Sequence, residues 1–128
     1  MEPSRIQAVD HVNLEAPYGV DEGMRWFYAE VAVLEEVSCD DPAPNRLCFI
    51  SRQIELRVNF VDSPDIDPLE PRVTIFVPSL SEVAERLEER SVPYTTLTGL
   101  MYTDRRLEVH DPAGNRVVLK QETHGGVF

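Results

Sequence analysis

Strand-like and helix-like patterns alternate along the chain in an order that occurs twice. His11–Pro17 (HVNLEAP) alternates polar and apolar residues and stops at a proline, and Arg72–Pro78 (RVTIFVP) does the same. Each is followed by apolar residues at helical spacing. The first set is Val20, Met24, Phe27, Tyr28 and Val31; the second is Leu80, Val83, Ala84 and Leu87. Ser79 and Glu82 have the spacing of a capping box and mark the start of the second helix.

After each helix the period returns to two. In the first half, strands are expected at Val33–Val37, Leu47–Ser51 and Ile54–Val61, with a turn at Asp40–Asn45. In the second half, Tyr94–Leu97, Leu107–His110 and Asn115–Gln121 take the same places, and Asp111-Pro112-Ala113-Gly114 makes the last turn. The opening strands align 61 residues apart, from His11 to Arg72. The closing strands align 63 apart when Gln53-Ile54-Glu55-Leu56 is set on Arg116-Val117-Val118-Leu119. The chain is therefore expected to be one domain of two βαβββ modules: module one over about 5–62, a linker over 62–71, module two over 72–122 and a loose tail over 123–128. The linker, with three prolines and three aspartates, reads as an extended connector.

Composition adds limits. A length of 128 residues suits one ordinary domain, and 42% hydrophobic with 27% charged residues is globular. No apolar run approaches the roughly 18 residues of a spanning helix, and the first residues lack the pattern of a secretory signal, so a cytoplasmic protein is expected. A net charge of -11 disfavours nucleic acid and anionic membranes as partners. Cys39 and Cys48 flank the first turn; free buried thiols are expected in that compartment, and two cysteines without close spacing make a poor structural zinc site.

Three segments carry a resemblance: Asp10-His11-Val12-Asn13-Leu14, Phe27-Tyr28-Ala29-Glu30-Val31, and Asp111-Pro112-Ala113-Gly114-Asn115-Arg116-Val117-Val118-Leu119. In order and spacing they resemble the opening strand, the helix with a Phe-Tyr pair, and the final turn and strand of the vicinal oxygen chelate superfamily, which includes glyoxalase I, bleomycin-resistance proteins and extradiol dioxygenases. The resemblance implies an α+β fold whose two modules form a half-open mixed sheet around a central cleft, and a homodimer. It also implies a divalent metal held by a histidine on the first strand and a glutamate on the last strand of each module, with coordination positions left for substrate oxygens.

Carried over, His11 and Glu55 match the first module's metal ligands, whereas Arg72 and Val118 stand at the second module's. A guanidinium stays protonated and valine has no donor, so the usual metal is not expected. A borrowed set of His11, Glu55, Glu108 and His110 is the conceivable substitute, and His124 lies in the tail. The alternative for His11 is a plain hydrogen bond to Glu55 or Asn13.

Strand alternation puts Asn13, Arg57, Asn59, Thr74, Phe76 and Arg116 on the face shared by His11 and Glu55, and Arg72 joins them by the repeat. Glu55 is expected to pair with Arg72 or Arg57, either as a stiffening salt bridge or as part of an anion site. Phe49, Phe60, Phe76 and Tyr102 are candidate cleft walls, although strand aromatics mostly belong to cores; Trp26 is expected at a helix–sheet contact or a subunit surface. The functional expectation is a binding protein of the glyoxalase or bleomycin-resistance type, without a cofactor, for a small molecule, with an anionic metabolite or drug as the candidate. The candidate binding residues are His11, Asn13, Glu55, Arg57, Arg72 and Arg116. The alternative is a metal-dependent lyase, isomerase or dioxygenase with altered ligands. A third reading is an interaction module whose cleft is sealed. No nucleophile-elbow, P-loop or dinucleotide motif is present in the sequence, and Tyr18, Tyr94 and Tyr102 are undistinguished as acids.

Overall fold

The computed structural model describes residues 9–39, 45–99 and 105–122. Its strands are β1 (Asp10–Ala16), β2 (Glu35–Val37), β3 (Arg46–Ile50), β4 (Ile54–Phe60), β5 (Pro71–Val77), β6 (Tyr94–Thr98), β7 (Arg105–His110) and β8 (Arg116–Gln121). Helix α1 (Asp21–Arg25) runs on into a π-helical stretch over Trp26–Val31, and α2 spans Leu80–Glu89. There are two four-stranded sheets, ordered β1-β4-β3-β2 and β5-β8-β7-β6, with β1 parallel to β4 and β5 parallel to β8. This is the α+β pair of βαβββ modules expected from the sequence, with strand ends moved by one or two residues. The Asp40–Pro44 part of the first turn, Tyr102, His124 and the tail lie outside the described residues.

Alternation decides which face of each sheet is buried. In β4, Ile54, Leu56, Val58 and Phe60 are buried while Glu55, Arg57 and Asn59 are half-exposed. The apolar rows pack under the helical segments: Met24, Phe27, Tyr28 and Val31 on the first sheet, Leu80, Val83 and Leu87 on the second. Phe49 and Phe60 belong to this buried side, so neither walls the cleft, whereas Phe76 is 42% exposed on the open face. Ser79 caps α2 by accepting from the Glu82 amide at 3.3 Å, while the Glu82 carboxylate lies 3.6 Å from Arg86.

Three features depart from the sequence expectations or refine them. The first helix closes with a wider turn, in which the Leu34 amide reaches the Tyr28 carbonyl at 2.9 Å, and this carries Phe27 and Tyr28 inward together. Cys39 and Cys48 are not free thiols: they form a disulfide, with Cα atoms 5.5 Å apart. Val37 is the cross-strand partner of Cys48, so the chain just beyond β2 brings Cys39 within bonding reach. Trp26 packs under α2, with the Arg90 guanidinium 4.3 Å from its ring centre.

The repeat also changes register. Val12 pairs with Leu56 and Leu14 with Val58; Val73 pairs with Val117 and Ile75 with Leu119. From Val73 onward one offset of 61 therefore relates both strands of the two pairs, which makes Arg116, not Val118, the counterpart of Glu55, although a bulge between Pro71 and Val73 sets Arg116 against Pro71. A shift of two residues keeps every side chain on its face, so the apolar pattern cannot tell the two alignments apart.

The modules meet on the helix side. The Tyr28 hydroxyl donates to Asp111 Oδ2 at 2.6 Å, and Asn115 Nδ2 donates to Asp111 Oδ2 and to the Glu15 carbonyl, both at 3.1 Å. Asp111 Oδ1 accepts from the amides of Ala113 and Asn115, each at 2.9 Å. Burial, with Asp111 beside it, pushes the Tyr28 hydroxyl well up. Burial also raises Asp111, against the opposing pull of its hydrogen bonds.

Candidate functional site: two open sheet faces

The face of each sheet turned away from the helices carries the candidate residues. On the first sheet, His11, Asn13 and Glu15 of β1 stand beside Glu55, Arg57 and Asn59 of β4. Beyond them come Arg46, Cys48 and Ile50 of β3, then Glu35 and Val37 of β2. On the second, Thr74 and Phe76 of β5 neighbour Val118 and Lys120 of β8, Arg72 sits in a bulge beside Pro71, the partner of Arg116, and Arg106, Glu108 and His110 of β7 follow. Neither face is sealed by its own side chains: His11 is 70% exposed, and Arg72, Thr74 and Phe76 are exposed.

The sequence expected Glu55 to meet an arginine. It meets His11, as in the hydrogen bond given above as the alternative for that histidine, Nδ1 to Oε1 at 2.7 Å, because the two are direct partners in the β1–β4 register. Arg57, two residues along, has no ion-pair partner among the described residues. It lines a hollow of about 270 Å³ with Glu55, Val37, Ser38, Ile50 and the disulfide. A larger hollow of about 720 Å³ lies where β3 begins and β4 ends, between Tyr18, Arg25, Arg46, Leu47 and Phe60.

On the second face the arginines find their anion on a neighbouring strand. Arg116 is bonded to Glu108, and Arg106 Nε lies 3.6 Å from the same carboxylate. The Arg116 guanidinium, aided by Arg106, holds Glu108 below its ordinary range against the opposing effect of burial. Side chains on this face also grip the linker: Arg72 Nη2 donates to the Asp65 carbonyl at 3.2 Å, Arg116 Nη1 to the Leu69 carbonyl at 2.6 Å, and His110 Nε2 to the Pro68 carbonyl at 3.0 Å.

Arg106 and Lys120 are absent from the sequence-based candidates. The signal for them was present, since each lies an even number of residues from Glu108 or Arg116 on its own strand.

No family model matches the chain, and no curated protein matches it. Solved structures do. A glyoxalase family protein from Bacillus anthracis superposes with a TM-score of 0.74 at 22% identity, covering 92% of this chain and 97% of that one. A genomically encoded fosfomycin resistance protein from Listeria monocytogenes gives 0.69 at 15% identity, covering 94% and 97%. A glyoxalase/dioxygenase from Nostoc punctiforme gives 0.65 at 16% identity, covering 97% of each chain. The chain has the vicinal oxygen chelate fold.

The metal implied by the vicinal oxygen chelate fold does not fit the residues present. His11 and Glu55 offer an imidazole and a carboxylate, but their counterparts Arg72 and Arg116 are permanent cations with no lone pair to give. The substitute set is not assembled within the chain either. Glu108 is held by two arginines and His110 by the linker, and no cluster of three or more His, Cys, Asp or Glu suited to a metal occurs among the described residues.

Proposed function

We propose that the chain binds a small anionic molecule, a metabolite or a drug, on its open sheet faces, without a metal. The observation that carries this reading is the exchange of ligands by module: where the first has His11 and Glu55, the second has Arg72 and Arg116. Where a metal would meet substrate oxygens, two guanidinium groups stand, and the N–H groups not taken by the linker carbonyls and Glu108 are donors for a carboxylate or phosphate-like group. Lys120 and Arg106 add positive charge to the same face, and Glu108 is its only carboxylate among the described residues. In a chain of net charge -11, a face so basic is a local reversal of sign that concentrates anions. The Thr74 hydroxyl and the exposed Phe76 ring supply a polar and an apolar contact beside it. On the first face, His11, Asn13, Glu55 and Arg57 complete the set.

Pairing of two copies into a dimer completes the proposal. The basic second face of one chain complements the acidic remainder of another, which gives the chain its net charge of -11. Sedimentation is expected to show a dimer that weakens as salt rises.

Titration calorimetry with carboxylates, phosphate, phosphonates and fosfomycin (the last because of the structural neighbour's name) tests the ligand reading. Binding that falls at least about tenfold in Arg72→Gln and Arg116→Gln supports it. Absence of binding by every anion class defeats it.

A further inference from the structure

The hollow in the first module holds a cation, without an ion-pair partner among the described residues, against a disulfide. Cys39 and Cys48 form part of its wall, and Arg57 is the direct cross-strand partner of Cys48. Neighbouring strands at such positions hold their Cβ atoms about 5 Å apart, so the guanidinium lies within reach of the Cys48 sulfur. Glu55 shares the hollow, but its Oε1 is turned to His11. The two sulfurs differ in access: Cys48 is 6% exposed, and Cys39, just beyond the end of β2, is half-buried.

We propose that the Cys39–Cys48 pair is a thiol–disulfide exchange site selective for small anionic thiols, with Arg57 as the group that holds the anion. Access directs the incoming thiolate to Cys39 Sγ. The Sγ–Sγ bond breaks as the new S–S bond forms, and the electron pair leaves on Cys48 Sγ. A neighbouring guanidinium stabilises that thiolate and makes it the better leaving group. A second thiolate attacks the mixed disulfide at the sulfur of the first thiol and releases Cys39 as a thiolate. The balance is two small thiols oxidised to their disulfide and one protein disulfide reduced to two thiols. The anionic part of the thiol pairs with Arg57, which raises its local concentration at the sulfurs. Arg57 and Glu55 also belong to the set proposed above, but the exchange needs neither Arg72 nor Arg116 and stands if their face binds no anion.

The test compares 2-mercaptoethanesulfonate, an anionic thiol, with neutral 2-mercaptoethanol of the same chain length, following reduction of the intact protein at low salt. The expected rate ratio favours the anionic thiol by roughly tenfold. It should fall to near parity in Arg57→Gln, persist in Arg57→Lys, and be unchanged in Arg86→Gln, a helix-surface control. Acid-trapped intermediates should carry the small thiol on Cys39. If Arg57→Gln does not fold, the same ratio measured on the natural chain in about 1 M salt must collapse toward parity. A ratio indifferent to both Arg57 and salt, or a mixed disulfide on Cys48, overturns the proposal.

Discussion

Tyr28 of the first module and Asp111 of the second share a hydrogen bond of 2.6 Å, both buried, across 83 positions of sequence. The other acceptor oxygen of Asp111 is taken by the amides of its own turn, so one carboxylate ties a local turn to the opposite module. Tyr28→Phe is expected to cost about 1 to 2 kcal/mol, by removing a donor from a buried acceptor. The cost should depend on pH. Burial raises Asp111 in the fold, so its ionisation weakens the folded state as pH rises from the ordinary carboxylate range through the raised folded pKa. The Tyr28 bond opposes that rise, and losing it pushes the folded pKa higher still. Denaturant titrations should show Tyr28→Phe most penalised at neutral pH and least penalised in acid.

Gly23 of α1 marks the same seam. An added Cβ there would sit 3.1 Å from the Pro112 side chain, closer than ordinary packing. Gly23→Ala gains about 1 kcal/mol of helix propensity and loses a comparable amount to this contact, so its melting temperature should stay near that of the natural chain. Gly23→Leu has no such balance and should destabilise by about 2 kcal/mol.

If the second face binds anions as proposed, Glu108 sets a limit on it. Glu108→Gln removes its one carboxylate while keeping the shape, and is expected to tighten binding of a sulfonate or sulfate probe by roughly threefold to fivefold. The pH dependence separates this effect from a simple packing change. Glu108 is lowered in the fold, chiefly by Arg116, so its ion pairs stabilise the protein above the ordinary carboxylate range. That contribution fades as pH falls through the depressed folded pKa. Probe binding to the natural chain should tighten over that acid window, while Glu108→Gln stays flat.

His11 and Glu55 give the clearest test of the metal question. After loading with zinc, nickel, manganese or iron and desalting, tag-free protein is expected to retain about a tenth of an equivalent or less, and His11→Ala should leave that figure unchanged. Stoichiometric metal that disappears in His11→Ala would favour the lyase, isomerase or dioxygenase reading instead.

Much of the architecture was legible because β4 alternates without fault from Ile54 to Phe60 and because both opening strands end at a proline. Those are local signals with one reading. The metal-position counterparts were less legible. Offsets of 61 and 63 both keep apolar residues inward, and only the strand register shows that Arg116 stands opposite Glu55 in the repeat. Salt-bridge partners were hidden for a similar reason. The His11–Glu55 contact was among the sequence alternatives, whereas Glu108 reaches Arg116 diagonally across the β7–β8 pair, and spacing along one strand does not reveal which strand lies next to it. The disulfide needed the path of the chain past β2, and compartment-based reasoning pointed the other way.

The linker is clasped through its carbonyl groups at Asp65, Pro68 and Leu69, by Arg72, His110 and Arg116. Every amino acid carries that carbonyl, so the clasp recognises a path and not an identity. The side chains at those three places are free to drift in evolution, whereas a deletion of even one residue between them would move a carbonyl out of its socket and loosen the cations that hold it.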